Sequence, residues 1–172
     1  MTTATSALFP QVIAHCSRFS MGYVLGLAQD IPSERWGDMA IANANHPAFI
    51  YAHLAIYPNR VFAMLGREEL ALEGPVDPEL VGSGSICESD GSIYPSKAEI
   101  LPYFTERYEA AAALIETLQA EDLAVENPIE GGFREKFPTL GSAVSFMMNN
   151  HIMMHAGQVS TWRRAIGLGS LM

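Results

Sequence analysis

Four stretches of the sequence place apolar residues three and four positions apart, which is the spacing of an amphipathic helix. They cover residues 6–29, 45–66, 96–118 and 139–166, and little of the chain shows the alternation of a strand. Because each apolar stripe needs a partner to bury it, the pattern predicts an all-α protein built as a four-helix bundle. The predicted buried stripe of the first helix consists of Leu8, Phe9, Val12, Cys16, Phe19, Tyr23 and Leu27.

Local signals mark where the second predicted helix begins and bends. Asn45 is its predicted N-cap, and Pro47 follows in the first turn, where a missing N–H costs nothing. Pro58 lies inside the helix and removes the hydrogen bond to the carbonyl of Leu54. We therefore expect a kink about one turn beyond His53.

Two polar connections separate the predicted helices. The first, residues 67–95, is long and rich in Gly, Pro, Ser and Asp, which predicts a lid or a crossover between helices two and three. The second spans residues 121–138. A capping box at residues 96–99 opens helix three, Thr139 caps helix four, and Gly167 follows the end of that helix. With 172 residues, the chain is predicted to form a single domain, residues 1–172.

Charge and composition exclude several classes of function. The net charge is −9, and the ten Lys and Arg residues are spread along the chain, whereas nucleic-acid binders cluster theirs. No apolar run approaches the roughly 20 residues that cross a bilayer. Residues 1–6 lack the basic start of a secretory signal, and two cysteines make no disulfide framework. We therefore expect a cytoplasmic protein without nucleic-acid or membrane partners.

Two histidines, His151 and His155, lie four residues apart in the fourth predicted helix and can converge on one point. Such a pair commonly binds a divalent ion, and His53 on helix two is the best candidate for a third ligand across the core. Three histidines leave coordination positions open, as catalytic sites do. Two separately hydrogen-bonded core histidines are the alternative interpretation. The predicted inward stripe of this helix is Leu140, Val144, Met147, His151, Met154, Gln158 and Trp162.

The remaining histidines, cysteines and methionines receive ordinary structural interpretations. His46, beside the start of helix two, is predicted at a surface or rim position, and His15 at the surface. Cys16 is expected to be an inert buried thiol. Four methionines flank His151 and are expected to fill the core rather than line a pocket; they are Met147, Met148, Met153 and Met154.

The motif His-x-x-x-His-x-Gly-Gln at residues 151–158, with His53 in helix two, resembles the DinB-like superfamily of metal-binding four-helix bundles. The long connection and the closing residues 162–167 fit the same family. This resemblance implies an up-down-down-up bundle with a long crossover between helices two and three, and a homodimer. It also implies nickel or zinc bound by His53, His151 and His155. Similar proteins include thiol-dependent transferases and isomerases that use bacillithiol, mycothiol or glutathione.

A divalent ion on three neutral imidazoles can lower the pKa of a bound thiol or water. We therefore expect a metal-dependent enzyme for a small-molecule substrate, acting by thiol transfer or hydrolysis, with a low-molecular-weight thiol as candidate co-substrate. Gln158 is expected to hydrogen-bond a histidine and Tyr57 to line the pocket. No Asp or Glu on the inward stripes offers a general base, so no catalytic residue is assigned. Two other interpretations stay open, namely a metal-binding stress protein without turnover and a helical interaction module with structural histidines.

Overall fold

The computed structural model describes residues 3–171, with side chains from residue 6 onward. Residues 1, 2 and 172 of the predicted single domain therefore lie outside the described residues. Within this range the protein is helical and has no strand, apart from one isolated bridge between Glu126 and Thr139. The helices are α1 (Thr3–Gln29), α2 (Pro47–Ala55), α3 (Tyr57–Met64), α4 (Pro78–Val81), α5 (Lys97–Glu116), α6 (Ala120–Leu123), α7 (Gly132–Lys136), α8 (Leu140–Ser145) and α9 (His151–Ala165). Short 3₁₀ turns occupy Ser33–Arg35, Glu68–Leu70 and Gly91–Ile93, and a π-helical turn occupies Phe146–Asn150.

The four predicted helices correspond to α1, α2 with α3, α5, and α8 with α9. Both α5 and α9 pack against α1 and against α2, which places the apolar stripes in one interior. The prediction of an all-α protein is confirmed, while the up-down-down-up order of helix directions stays a prediction. None of the helices between Thr3 and Leu171 combines the length and apolar character that a bilayer crossing requires.

The predicted buried stripe of α1 is wrong along most of its length. Leu8, Phe9, Val12 and Phe19 are 46–65% exposed, and Cys16 is also exposed, so it is not the predicted buried thiol. The residues that face α5 and α9 lie about one position further along the helix. They are Ile13, Ala14, Ser17, Ser20, Val24, Leu27 and Ala28. Because α1 carries apolar residues on two faces, the spacing alone fits both, and the small side chains mark the face that packs closely.

Pro58 interrupts the second predicted helix, as expected. Helix α2 ends at Ala55, and α3 restarts at Tyr57 with Pro58 in its first turn. The hydroxyl of Tyr108 donates a hydrogen bond of 3.1 Å to the carbonyl of Leu54, the group that Pro58 leaves without its usual helical donor. The break is therefore stabilised by a buried side chain of α5.

His46, rather than Asn45, is the N-cap of α2, and the predicted rim position of His46 is wrong. Its side chain is fully buried, and its Nδ1 accepts a hydrogen bond of 3.2 Å from the backbone N–H of Phe49. The opposite ring nitrogen, Nε2, donates to the carbonyl of Glu88 at 3.0 Å. This bond holds the long connection between α3 and α5 against the start of α2, and the connection covers the His46 ring.

The π-helical turn before His151 changes the phase of the fourth predicted helix. Met147 and Met148 are both buried, as expected, but Met153 and Met154 are 39% and 61% exposed, and Gln158 is also exposed. A π turn adds one residue to the turn and rotates the following residues about the axis. The buried residues of α9 are His151, Ile152, His155, Ala156, Val159, Trp162 and Arg163.

The expected caps of the later helices are confirmed. Ser96 and Glu99 make both bonds of a capping box, and Thr139 accepts from the backbone N–H of Ser142. Gly167 has a φ of +87°, the left-handed conformation that suits glycine after a helix. The end of α9 is held against α1 by Arg163, which is buried and donates to the carbonyl of Leu27 at 2.6 Å.

The burial of His46 predicts a dependence of stability on pH. Burial lowers the pKa of His46 from its ordinary 6.5, so below that pH the unfolded chain binds a proton that the folded protein does not. Its contribution to stability is therefore present above pH 6.5 and falls as the pH drops below it. We expect His46→Asn, which can still cap α2, to reduce the slope of unfolding free energy against pH by up to about 1.4 kcal/mol per pH unit.

The measurement is urea unfolding at several acidic and neutral pH values, with a chelator present to remove metal ions. His15→Asn is the matched control, because His15 is exposed on α1, and it is expected to keep the wild-type slope. An unchanged slope in His46→Asn would contradict the assignment.

Candidate metal centre

The structure brings His53, His151 and His155 together at one point between α2 and α9. The Nε2 atom of His151 lies 3.1 Å from the Nε2 of His53 and 3.1 Å from the Nε2 of His155. One ligand atom from each of the three residues lies within 4.8 Å of the others. The sequence placed these residues on facing helices, and the structure makes them converge through the same ring nitrogen.

Hydrogen bonds on the outer sides of two rings set which nitrogen carries the proton. The Nδ1 of His53 is 2.5 Å from the carbonyl oxygen of Val81, and a carbonyl can only accept, so this nitrogen carries the hydrogen. The Nδ1 of His155 likewise donates to the side-chain oxygen of Gln158 at 3.1 Å, and Asn45 donates to that same oxygen at 3.1 Å. The Nε2 atoms of His53 and His155 therefore present lone pairs to the centre.

The three imidazoles are neutral at physiological pH. Burial, with repulsion from the neighbouring histidines, lowers the pKa of His151 to about 3 and that of His155 to about 4. Burial also lowers the pKa of His53. Neutral imidazole is the form that binds metal ions, because a protonated ring has no free lone pair.

The donor set fits a divalent ion. Two nitrogens bound to zinc at about 2.1 Å are separated by about 3.4 Å at a tetrahedral angle and about 3.0 Å at a right angle. The observed separations of 3.1 Å lie between these values. If no ion were bound, His151 could offer one N–H to only one of the two lone pairs that face it, and the other would have no partner.

One polar atom of the cluster lacks a partner among residues 3–171. The Nδ1 of His151 is buried and makes no hydrogen bond within the described part of the protein. Histidines that bind metals usually donate this second N–H to a neighbour, and His151 lacks the outer hydrogen bond that His53 and His155 make. The three histidines are only 7–9% exposed, so the protein encloses the centre almost completely.

Aromatic rings enclose the cluster and limit contact with bulk water. The ring centroid of Tyr57 lies 4.2 Å from that of His151 and 5.0 Å from that of His53. Phe49 stacks on His53 at 5.9 Å, and Phe146 lies 5.7 Å from His151. Burial raises the pKa of the Tyr57 hydroxyl, so it stays protonated at neutral pH. In the described part of the chain the cluster contains no carboxylate.

Two residues beside the site were not identified from the sequence. Val81 contributes only its backbone carbonyl, which no sequence pattern identifies, and it comes from a short helix inside the long connection. Asn45 was assigned to the helix cap, but its side chain instead holds Gln158. The predicted contact between Gln158 and a histidine is present, whereas metal binding by the three histidines stays a prediction.

Comparison with known proteins identifies the family. The family model described as the DinB superfamily matches residues 12–159, a range that includes all three histidines and Gln158. Searches of curated proteins and of solved structures give no significant match. Because the match covers most of the chain, the protein belongs to the DinB superfamily.

Proposed function

We propose that this protein is a metal-dependent enzyme that binds one divalent ion, zinc or nickel, through His53, His151 and His155. The observation that carries the proposal is the meeting of three Nε2 atoms whose rings are neutral, with two of the Nδ1 hydrogens held by outer acceptors. Membership of the DinB superfamily is compatible with metal binding. Separate structural histidines would instead be expected to direct their Nε2 atoms to separate partners.

The residues around the centre have distinct roles in this proposal. The Val81 carbonyl and Gln158 hold the rings of His53 and His155 in orientation, and Asn45 fixes Gln158. Tyr57 excludes water from one side of His151. When bound, a divalent ion at this centre would lower the pKa of a thiol or of water, so that thiolate or hydroxide exists near neutral pH.

The absence of a carboxylate in the described cluster favours thiol transfer over hydrolysis. Attack by water commonly needs a nearby base to take its proton, whereas a thiol of lowered pKa has already lost its proton to solvent. The reaction that we propose forms a bond between the thiolate sulfur and an electrophilic carbon. The bond from that carbon to its leaving group breaks, and the leaving group departs with the electron pair.

Metal content tests the centre directly. We expect wild-type protein offered zinc or nickel to retain about one equivalent, and His53→Ala and His151→Ala to retain little, because two imidazoles hold an ion much less firmly than three. The measurement is elemental analysis of untagged protein after gel filtration. His15→Ala is the matched control, because it removes an exposed histidine and leaves the cluster intact. Wild-type protein that stays metal-free would refute the proposal and support structural histidines.

Gln158 provides a second test of the same centre. We expect Gln158→Leu to weaken zinc binding by about 10- to 100-fold, because the Nδ1 hydrogen of His155 loses its acceptor. Gln158→Glu keeps an oxygen acceptor and is expected to bind zinc more tightly than the leucine variant. Affinities come from competition with a chromophoric chelator, and equal affinity in the leucine variant and wild type would contradict this role.

Catalysis is tested with metal-loaded protein, a low-molecular-weight thiol and monochlorobimane, an electrophile that fluoresces once sulfur displaces its chloride. We expect a rate above the uncatalysed reaction, lost in His151→Ala and retained in His15→Ala. Bacillithiol, mycothiol and glutathione are assayed separately. A protein that binds metal but accelerates neither this transfer nor ester hydrolysis would favour a metal-binding protein without turnover.

A further inference from the structure

Arg60 is a half-buried arginine beside the histidine cluster, and it has no carboxylate partner within residues 3–171. No hydrogen bond in the described part of the protein involves its guanidinium either. Six other arginines do form salt bridges there; they are Arg18, Arg35, Arg67, Arg107, Arg134 and Arg163. The chain carries 19 acidic and ten basic residues, so carboxylates are abundant, and the Arg60 guanidinium is nevertheless free to bind a ligand.

Arg60 packs on Tyr57, a neighbour of the histidine cluster, and also lines a groove. Its guanidinium carbon lies 5.0 Å above the Tyr57 ring, whose centroid is 4.2 Å from that of His151. Arg60 and the His151 ring both pack on Tyr57 and are therefore no further apart than the sum of these two distances. Arg60 also lines a groove of about 640 Å³ between α3 and the long connection. Glu73 lines the same groove but forms no salt bridge with Arg60.

Arg60 is the cationic side chain that lines the groove, and Glu73 is the acidic one. The histidine cluster is neutral, and no carboxylate belongs to it in the described residues. The positive charge of Arg60 therefore has no acidic counterpart within the described cluster itself. A bound divalent ion would add to this charge, and such a site attracts anions.

We propose that Arg60 binds an anionic oxygen group of the substrate, so that the enzyme acts on small organic acids, with a carboxylate or phosphate held at Arg60 and the reacting sulfur at the histidine centre. This inference rests on the proposed function. The guanidinium presents paired N–H donors in a planar fork that matches both kinds of group. Asn59 and Tyr103 line the groove next to Arg60 and complete its polar side.

Three thiols of similar size and different charge test the inference. Zinc-loaded protein is titrated by calorimetry with mercaptopropionate, mercaptoethanol and cysteamine, which carry a carboxylate, a hydroxyl and an ammonium group. We expect mercaptopropionate to bind at least about 10-fold more tightly than mercaptoethanol, and cysteamine to bind most weakly, because a hydrogen bond to a charged group favours the acid. In Arg60→Gln we expect mercaptopropionate to lose this preference while mercaptoethanol binds as in wild type.

Two further variants complete the design. Arg60→Lys keeps the charge but not the fork and is expected to retain part of the preference. Arg164→Gln is the matched control, because it removes an exposed arginine at the end of α9, and it is expected to retain all of the preference. In wild-type protein, the NMR signal of the Arg60 Nε–H is expected to shift with mercaptopropionate and not with mercaptoethanol.

The outcomes separate this inference from the proposed function. If Arg60→Gln keeps the full preference for mercaptopropionate, or if the Arg60 signal does not respond to it, the anionic subsite is refuted while thiol binding still supports the metal centre. If none of the three thiols binds the zinc-loaded protein, thiol transfer fails and this inference fails with it. If Arg60→Gln does not fold, the wild-type NMR titration and Arg60→Lys decide the result.

Discussion

The outward hydrogen bonds of His53 and His155 are the constraint on which the site depends. Each ring gives its Nδ1 hydrogen to an oxygen that can only accept, and each is thereby left with a lone pair on Nε2. Those lone pairs meet the Nε2 of His151 at contact distance in a buried space. If one acceptor were lost, a ring could turn over or change its tautomer, and the convergence would be lost with it.

The acceptor of His53 comes from a different element of the chain, which other hydrogen bonds hold in place. Val81 belongs to the long connection between α3 and α5, and His46 anchors that connection to α2 through the Glu88 carbonyl. Tyr108 of α5 stabilises the break that Pro58 makes just after His53. A connection that looks like a flexible lid in sequence is therefore part of the support of the site.

The sequence was sufficient to predict the features that depend on the spacing of apolar residues and on residues at helix ends. The long helices, the break at Pro58 and the pair His151 and His155 follow from local spacing, which physical chemistry ties to local structure. The exposed face of α1 was predicted to be the buried one, because this helix carries apolar residues on two faces. His46 was missed because its burial depends on Glu88, which no local pattern links to it. The π turn before His151 shifted Met154 outward, and a one-residue insertion leaves no composition signal.

The geometry of the cluster also implies a cost in the metal-free protein. Burial lowers the pKa of all three rings, so they stay neutral at physiological pH. The repulsion between their facing lone pairs is therefore not removed by protonation. Among the described residues, the Nδ1 of His151 has no partner either, so the folded state carries unsatisfied polar atoms in its interior. Any ligand that binds these atoms only in the folded state stabilises that state by mass action. Metal affinity and stability should therefore be coupled in this protein, and the same buried lone pairs that destabilise the empty centre would provide the binding energy for an ion.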